Sequence, residues 1–591
     1  MSHSLSFCLC VALFLVVVHG REPGPQKQPS PSKSQFRCVV MTPSGRLSLR
    51  DVLGGPGTVA CGNFTERMQD TGWDYFTVTT NNSYSDEQQA YSAGFVEGNM
   101  TAKSIYLHWL NNMDGYCKIP PSPNSSCAHV EGFVNKNLIW LNEQLEAHPT
   151  SEYWHQVRLA LLQFKGLEDG YKGKPAILPR HITFSPLGLY LLQISVELGD
   201  LEAALNTGLK DFKEEKTSRP QRRSEDGRFG SKMNVDSEKV AGPLSHDHCS
   251  ALIKLLPGNK ELMVSHITWG SYQMMMRIVK HYDLRMGSSS PDGQPPPGHV
   301  EAFTSYPGVT YSIDDFYVLS SGLVVMETTI QNNNPKLWAA VTPQTIPEWL
   351  RNVVANRMAR NASHWAQIFK QHNSGTYNNQ WMVVDYKAFK VGKASTENVL
   401  VVLEQMPGLV VCEDMTSKLY KQGYWASYNL PFFPKIRNAS NQQELVDRYG
   451  PMFEFEQCPR ARIFRRDQGS ITDVNSMLKM MRYNDFQHDR LSLCPLCKPH
   501  PNAELSIASR SDLNAANGSY PLPFLSQRCH GATDAKISWS ALHQTQNFLA
   551  QSGPTAAQQP PFRWSSSPYA HYPHFGHPDL WNFFPVFISW N

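Results

Sequence analysis

The chain changes its hydrophobic pattern near its middle. In the first part, apolar residues recur three or four positions apart, which is typical of helices that pack one face on a core. The segments with this spacing are 86–111, 134–145, 153–164 and 190–205. Ser185 and Pro186 form a helix-start signal ahead of the last segment, with serine as the cap and proline in the first turn. We find no cofactor-binding motif here, so we interpret these helices as packing elements.

After residue 249, short β-branched and aromatic runs predominate. Residues 250–255 are mostly apolar, PGNK at 257–260 favours a turn, and 261–268 is a second extended run, which together predict a β-hairpin. Other runs predict strands at 308–312, 316–319, 322–330, 381–386, 398–406 and 409–413, and helices at 338–369 and 473–481. This distribution favours a layered α+β fold in which one large domain has two parts.

A polar segment separates these two parts. Residues 210–240 are charged and almost free of large apolar side chains, which predicts a mobile, protease-accessible linker. The linker leads into LSHDHCSALIK at 244–254, where Cys249 follows a histidine-rich run and begins the predicted hairpin. We interpret Cys249 as a nucleophile that is exposed when the chain is cut between His248 and Cys249.

Such a cut would place a thiol and an α-amine on the same residue. The α-amine has a reference pKa of about 7.7–8.0, so it can act as the base for the thiol without a separate histidine. Ser245, His246 and His248 could assist the attack of the Cys249 thiol on the His248 carbonyl. Composition alone leaves a second interpretation open, in which Cys249 is a buried or disulfide-bonded structural cysteine.

Composition and charge exclude some classes of protein. The 591 residues carry a net charge of +3 with 18% charged side chains, so the chain lacks the electrostatic footprint of a nucleic-acid-binding protein. Residues 1–20 contain the apolar run 8–18 and predict a secretory signal peptide, with a signal anchor as the alternative. No later segment reaches the roughly 18 apolar residues of a transmembrane helix, so no integral membrane segment is expected.

Export agrees with the glycosylation and cysteine patterns. Seven Asn-x-Ser/Thr motifs predict surface glycosylation: Asn63, Asn81, Asn99, Asn124, Asn361, Asn438 and Asn517. Cys117 and Cys127 flank a Pro/Ser/Asn loop and predict a local disulfide. The pair Cys494 and Cys497 is compatible with a redox motif or half a zinc site, but nothing completes a metal site, so a second local disulfide is preferred.

The C-terminal histidines could suggest a metal patch. His571, His574 and His577 lack fixed partners in the sequence pattern, and we interpret them as part of a docked aromatic segment. The sequence therefore predicts neither a metal nor a cofactor.

Several stretches together resemble one known family. They are LSHDHCSALIK (244–254), SHITWGSY (265–272), YPGVTYSIDDFYV (306–318), ETTIQNNN (327–334), YWASYNLPFF (424–433), PRARIFRRDQ (459–468), MMRYNDFQHD (480–489) and GHPDLWNF (576–583). As a set they are similar to the phospholipase B-like family, a branch of the N-terminal-nucleophile hydrolases. The resemblance implies a four-layer αββα sandwich in which cleavage yields fragments 21–248 and 249–591 of one globular unit. It also implies delivery to the lysosome lumen through the secretory pathway, with phosphorylated glycans bound by the mannose-6-phosphate receptor.

The resemblance also implies roles for individual residues. Cys249 matches the nucleophile, and His266 and Trp269 match active-site positions on the return strand, although Trp269 stands where related amidases often have a carboxylate. Asn429 matches a position whose amide can donate to an oxyanion. Thr329 and Asn332 are candidates to hold the α-amine or the substrate. The arginines of PRARIFRRDQ could face an anionic head group or form structural ion pairs, and those considered are Arg462, Arg465 and Arg466.

The function implied is hydrolysis of a lipid ester or amide through a thioester on Cys249, and thus lipid degradation. One alternative is an amidase of N-acylated lipids or small peptides, and another is a glycoprotein that binds a ligand with little catalysis. A papain-like protease is disfavoured because Cys249 lacks the Cys-Gly-x-Cys-Trp context. An acidic lumen poses a difficulty, because an unperturbed α-amine would be mostly protonated there.

Overall fold

The computed structural model describes residues 33–51, 54–117, 120–214, 248–287 and 293–590. The predicted signal peptide (1–20), residues 215–240 of the predicted linker, and Ser245 and His246 after it lie outside the described residues. The N-terminal strands and helices are β1 (Lys33–Met41), β2 (Leu47–Arg50), β3 (Thr58–Glu66), α1 (Met68–Thr71), β4 (Asp74–Thr80), α2 (Asp86–Met100), α3 (Ala102–Asn112), α4 (Ser126–Ala147), α5 (Glu152–Tyr171), α6 (Tyr190–Gln193) and α7 (Leu198–Glu214).

The elements after the predicted cleavage site alternate more finely. They are β5 (Cys249–Leu255), β6 (Leu262–Ser271), β7 (Ile278–Asp283), β8 (Val300–Ser305), β9 (Phe316–Leu319), β10 (Leu323–Thr329), α8 (Glu348–Met358), α9 (Ala362–Phe369), β11 (Asn379–Asp385), β12 (Leu400–Met406), β13 (Leu409–Asp414), α10 (Thr416–Gln422) and β14 (Tyr424–Ser427). Then follow α11 (Pro434–Ala439), α12 (Gln442–Tyr449), α13 (Pro459–Asp467), α14 (Val474–Met481), β15 (His530–Ala532), β16 (Asp534–Trp539), β17 (Phe548–Ser552), β18 (Phe562–Arg563), β19 (Leu580–Trp581) and β20 (Val586–Ile588).

Most of the strands form two large sheets. The eleven-stranded sheet has the order β13-β12-β11-β10-β9-β8-β7-β4-β3-β1-β2. Its strands pair antiparallel except for β4 and β7, which pair in parallel and join the N-terminal part of the chain to the part after Cys249. The seven-stranded sheet has the order β14-β5-β6-β16-β17-β20, with β15 also paired to β6. The predicted hairpin is confirmed, because β5 and β6 pair in a register that sets Cys249 opposite Thr268.

Side chains alternate between two cores along the central strands, since successive residues of a strand point to opposite faces. In β5, Ala251 and Ile253 belong to the hydrophobic core that also contains Val324 and Met326 of β10, so the two sheets pack face to face. Leu252 belongs instead to a core shared with the C-terminal helices α13 and α14. The opposite side chains of β10, such as Val325, pack against the N-terminal helices. Both sheets are therefore covered by helices on their outer faces, and the α+β class is confirmed.

Helices α2 and α5 approach each other unusually closely through glycines. A Cβ atom built on Gly94 would lie 1.7 Å from the carbonyl oxygen of Gln163, and one on Gly98 would lie 2.0 Å from that of Leu167. The same holds in reverse for Gly166 of α5, whose Cβ would lie 2.0 Å from the Tyr91 oxygen. Backbone-to-backbone contact at this distance requires glycine on both helices.

Three local predictions were wrong, each for a physical reason. Ser185 and Pro186 do not begin a helix but a turn, since the Gly188 N–H donates to the Ser185 carbonyl and the helix begins only at Tyr190. The predicted strand at 308–312 is a loop, because Gly308 has a φ of +83° and Thr310 is hydrogen-bonded to the side chain of Gln193. The predicted helix at 338–369 is two helices, α8 and α9, and it begins only after Pro347.

Strands β1 to β4 were not predicted at all, so the part before the linker is a mixture of strands and helices. The predicted disulfides Cys117–Cys127 and Cys494–Cys497 are both confirmed. A further disulfide, Cys38–Cys61, joins the paired strands β1 and β3. Among the helices of the described residues, none combines the length and the apolar character that a membrane span requires.

Buried carboxyl groups are expected to make the stability of the fold depend on pH. Burial raises the pKa of Asp200, Glu301 and Glu404 to about 7 and that of Glu327 to about 8. Between pH 6.5 and 8 these groups retain protons in the folded chain that the unfolded chain has lost, so the free energy of unfolding falls as pH rises. Histidines with lowered pKa values oppose this trend most strongly near and below pH 6.5, and Lys536, whose pKa burial lowers to about 8, opposes it near pH 8, but the four carboxyl groups outnumber Lys536 there. We expect a lower melting temperature at pH 8 than at pH 6.5 in scanning calorimetry.

The Glu301→Gln variant provides the control for this pH dependence. Its side chain keeps nearly the same volume but cannot titrate, so its melting temperature should fall less steeply over the same range. A melting temperature that rises from pH 6.5 to 8, or an identical slope in the variant, would contradict the assignment.

Candidate active site

Cys249 is the first residue of β5, and its thiol is buried and free. Its backbone N–H donates to Oδ1 of Asn429 at 2.9 Å, across 180 positions of sequence. The carbonyl of His248, which belongs to the same peptide bond as that N–H, accepts a hydrogen bond of 3.1 Å from the backbone N–H of Trp269. The peptide bond predicted to be cut is therefore held at both its nitrogen and its oxygen.

Asn429 follows β14 in a backbone conformation that few residues adopt. Its φ is +66°, in the left-handed region that asparagine tolerates better than most side chains. Its amide nitrogen donates to the Thr329 carbonyl at 2.8 Å, so its oxygen is turned toward Cys249. In the uncut chain the side chain thus accepts from the nucleophile's nitrogen, and the oxyanion role expected from the sequence stays a prediction for the cut chain.

Arg460 connects these groups from the start of α13. Its guanidinium donates to the Cys249 carbonyl, to Oδ1 of Asn429 at 2.8 Å and to the Tyr428 carbonyl at 2.6 Å. It also lies 4.5 Å above the ring of Trp269, in cation–π geometry. Such a fork of donors can fix several oxygen atoms at once, which a lysine could not do.

His266 lies on β6 beside the nucleophile. Its Nε2 is 2.8 Å from the carbonyl oxygen of Glu327, which can only accept, so Nε2 carries the ring proton and Nδ1 carries the lone pair. Nδ1 is buried without a hydrogen-bond partner among the described residues. Burial and the Lys536 cation lower the pKa of His266 well below its usual value, so the ring is neutral. A neutral imidazole with a bare nitrogen can accept a proton.

Glu327 and Asp315 form a buried acidic pair behind the nucleophile. The Tyr377 hydroxyl lies 2.8 Å from an Asp315 oxygen and 3.1 Å from a Glu327 oxygen, and it has only one proton to donate. Burial and the mutual proximity of the carboxyls raise the pKa of Asp315, and burial raises that of Glu327 to about 8. The Cys249 sulfur, a His266 ring nitrogen and a Glu327 carboxylate oxygen lie within 4.8 Å of one another.

A cationic cluster lies on the other side of β6. Lys536 of β16 donates to the Thr268 hydroxyl at 2.7 Å and to Asp534 at 2.7 Å, and Arg277 is 2.6 Å from Asp534. Burial alone would raise the pKa of Asp534, but Arg277 and Lys536 hold it at about 2. Burial lowers the pKa of Lys536 to about 8. Thr268 is the register partner of Cys249, so this cluster fixes the strand that faces the nucleophile.

The thiol itself is protonated in the uncut chain. Burial, with the Glu327 carboxyl adding to it, raises the pKa of Cys249 well above its usual value. A thiolate is therefore not the resting species, and the thiol proton must leave as the sulfur attacks.

A cavity of about 60 Å³ opens beside the scissile bond. Residues of the site form one wall, including His248, Asn429 and Arg460. Apolar side chains form much of the rest, namely Leu430, Leu445, Met452, Phe453, Leu505 and Phe524, and Gln331, Gln442 and Glu504 add polar groups. The His248 ring itself lies 5.3 Å from the Phe524 ring and 5.8 Å from the Trp269 ring. The residue that precedes the nucleophile thus occupies space that a substrate could use.

The structure places Cys249, His266, Trp269, Thr329 and Asn429 close together, and the roles expected of them stay predictions. Asn332, by contrast, accepts the N–H of Asn334 within its own loop. Arg465 and Arg466 are exposed on α13 and pair with Glu456 and with Asp467 and Asp489, which is the ion-pair alternative. Arg462 is also exposed.

The C-terminal histidines pack among aromatic side chains, and the sequon asparagines differ in exposure. His574 stacks on Trp564 at 4.3 Å, within a docked aromatic segment. Four sequon asparagines are exposed, namely Asn124, Asn361, Asn438 and Asn517, and three are partly buried, namely Asn63, Asn81 and Asn99.

Sequence reasoning missed Arg460, Glu327, Asp315 and Lys536. A signal for Arg460 was available, because helical spacing places it on the same face of α13 as the buried Phe464, whereas the three arginines considered point outward. The contacts of the other three depend on pairing between distant strands, which no local pattern reveals.

Comparison with known proteins finds similarity over almost the whole chain. A family model described as Phospholipase B matches residues 60–588. The chain is 47% identical to "Putative phospholipase B-like 2" of Mus musculus over 574 residues, which cover 96% of this chain and 91% of that protein. It is 47% identical to the Homo sapiens protein of the same name over 566 residues (95% and 91%) and 38% identical to "Putative phospholipase B-like 1" of Caenorhabditis elegans over 542 residues (90% and 87%). The chain therefore belongs to the phospholipase B family.

Proposed function

We propose that the chain is the precursor of an N-terminal-nucleophile hydrolase that cuts itself between His248 and Cys249 and then hydrolyses carboxylic esters or amides of lipids. The observation that carries this proposal is the set of hydrogen bonds that fixes the peptide bond between His248 and Cys249. Asn429 accepts from its nitrogen, the Trp269 N–H donates to its oxygen, and a buried free thiol belongs to the residue just after it. Family membership supports the hydrolase class.

The first step would be an intramolecular acyl transfer. The Cys249 sulfur attacks the His248 carbonyl carbon, the carbon–nitrogen bond breaks, and the thiol proton ends on the released α-amine. The Trp269 N–H stabilises the negative charge that develops on the carbonyl oxygen. Water then hydrolyses the thioester, which leaves a carboxylate on His248 and a free thiol and amine on Cys249.

The proton transfer has a candidate relay in His266. Its neutral ring presents a lone pair on Nδ1, and the lowered pKa keeps the ring neutral in mildly acidic solution. This bears on the difficulty posed by an acidic compartment, where an ordinary α-amine would be protonated. His266 would take the thiol proton during attack and return it to the leaving group.

Substrate hydrolysis would repeat the same chemistry with a different acyl group. Once His248 leaves, the largely apolar cavity that it lines would become available to a lipid acyl chain. Asn429 would then hold the α-amine and Arg460 would fix the oxygen atoms around it. The helix-covered pair of sheets would be the αββα sandwich of this hydrolase class, and the proposed location is the lysosome lumen, reached through glycans on the sequons and the mannose-6-phosphate receptor.

N-terminal sequencing of the large fragment tests the cleavage. We expect wild-type protein incubated at acidic pH to yield a fragment that begins with Cys249. Cys249→Ser should cleave at least about tenfold more slowly, because a hydroxyl is a weaker nucleophile than a thiol, and Cys249→Ala should not cleave. Equal cleavage in all three proteins, or a fragment that begins elsewhere, would show that another protease cuts the linker.

Substrate class is tested on the cleaved protein. Matched pairs of fatty-acyl esters and amides, including phospholipids, should release acid in the presence of the wild-type protein but not of the Cys249→Ala protein. Absence of acid release from every pair, with cleavage intact, would leave a self-cutting protein without the proposed hydrolase activity.

A further inference from the structure

We propose that the cleaved chain binds one Zn²⁺ ion at Cys249, His266 and Glu327, and that this ion blocks the nucleophile. This zinc site takes its fourth ligand, the α-amine of Cys249, from the cut between His248 and Cys249, so the inference rests on the proposed function. The bound ion would be an inhibitor and not a cofactor of the reaction.

The three side chains have the chemistry and the placement that zinc requires. Thiolate, imidazole and carboxylate are the usual zinc ligands in proteins. Their ligand atoms lie within 4.8 Å of one another, and all three residues are buried. Tetrahedral zinc, with bonds of about 2.0–2.3 Å, holds its ligand atoms about 3.3–3.8 Å apart. Side-chain movements of about 1 Å would therefore bring the three ligand atoms to the distances that zinc requires.

His266 is already oriented as zinc-bound histidines are. Such a histidine usually donates one ring N–H to a carbonyl or carboxylate and binds the metal with the other nitrogen. Nε2 of His266 donates to the Glu327 carbonyl at 2.8 Å, and Nδ1 is buried without a partner among the described residues. This unsatisfied nitrogen is an independent indication of a ligand.

Cleavage supplies the fourth ligand. In the uncut chain the Cys249 nitrogen belongs to a peptide bond and has no lone pair for a metal. After the cut it is an amine on the same residue as the thiol, so both can bind one ion in a five-membered chelate ring. Departure of His248, which lines the cavity beside the cleaved bond, would also open an entry path to Cys249.

Charge balance permits an ion at this position. Zinc with a thiolate, a carboxylate and two neutral nitrogens has no net charge, which suits a buried site. The cationic side chains near the zinc site are Lys536, Arg277 and Arg460. They would oppose an ion that added net positive charge, but a neutral zinc complex adds none. Asp534 pairs with Lys536 and Arg277, while Arg460 is directed to the Cys249 and Tyr428 carbonyls.

Metal titration of the cleaved protein tests the proposal. Protein whose N-terminal Cys249 has been verified by sequencing is freed of metal and titrated with Co²⁺, whose thiolate complexes absorb in the near ultraviolet. We expect one Co²⁺ per chain with a thiolate band that Zn²⁺ abolishes. Zn²⁺ should also slow alkylation of Cys249 by iodoacetamide at least about tenfold, as measured by peptide mass spectrometry. Cys412, which is free and exposed, is the internal control and should react at an unchanged rate.

Variants separate the zinc site from other metal binding. Glu327→Gln should weaken zinc binding at least about tenfold, because it removes a charged ligand. Glu504→Gln removes a buried carboxylate on the cavity wall outside the zinc site and should leave the affinity within about twofold.

Failure of this proposal can be told from failure of the proposed function. The zinc site alone is overturned if cleaved protein shows no thiolate band, or if Zn²⁺ protects Cys249 and Cys412 equally. The wild-type protein gives this answer even if Glu327→Gln is not cut. A chain that does not begin at Cys249 overturns both proposals, and sequencing reveals that before any metal is added.

Discussion

Replacement of Arg460 by methionine is expected to stop cleavage before Cys249 almost completely. The guanidinium donates to the Cys249 carbonyl, to Asn429 and to the Tyr428 carbonyl, and it lies over the Trp269 ring. Hydrogen bonds from a charged group contribute roughly 1.5–3 kcal/mol each, and loss of two that position the reacting peptide lowers the rate by about 10²–10⁴-fold. The rate is measured as the fraction of cut chain over time on denaturing gels.

Two further variants make this result specific. Arg465→Met removes a charge from the same helix, but from its exposed face, where Arg465 pairs with Glu456, and should cleave at the wild-type rate. Arg460→Lys keeps the charge without the planar fork and should be intermediate. Normal cleavage in Arg460→Met, in protein whose melting temperature shows that it has folded, would mean that Arg460 does not position the nucleophile.

The largest expected effect on stability comes from Gly94→Ala at the contact of α2 and α5. A Cβ atom there would lie 1.7 Å from the Gln163 carbonyl oxygen, and backbone atoms cannot move aside as a flexible side chain could. The helices must separate, which also loosens the core that covers the eleven-stranded sheet. We expect a loss of about 3–5 kcal/mol, in the range of severe core substitutions, measured by urea unfolding.

Gly132→Ala is the matched control for this substitution. Gly132 lies within α4, and a Cβ atom built on it meets nothing within 4 Å. The change should stabilise by up to about 1 kcal/mol, since alanine favours the helix. Similar unfolding curves for the two variants would contradict the close packing of α2 and α5.

Local sequence patterns predicted those features that depend on neighbouring residues. The β5–β6 hairpin follows from two apolar runs around a four-residue turn, and it alone brings His266 and Trp269 near Cys249. The helix at 473–481 was predicted equally well, because Asp473 caps it through a capping box. In both cases the interacting residues are separated by a few positions, and local preference agrees with the tertiary structure.

Features built from distant segments could not be derived in the same way. Asn429 contacts the Cys249 nitrogen across 180 positions, and only family resemblance indicated it. The buried carboxyls of Glu327 and Asp315 resemble ordinary polar residues in a strand and a turn until the fold buries both beside Tyr377. Strands β1 to β4 escaped notice because their place in the eleven-stranded sheet depends on the parallel pairing of β4 with β7, which the sequence does not encode locally.

Strands β4 and β7 lie on opposite sides of the proposed cut, so their parallel pairing is a noncovalent link between the two fragments. The disulfides of the described residues each lie on one side of the His248–Cys249 bond, so none of them tethers the two fragments. Heating the cut protein would release two separate chains, whose reassembly depends on concentration and competes with aggregation. Under the proposed function, folding would therefore have to precede the cut, and the lifetime of the cut protein would then be set by its rate of unfolding.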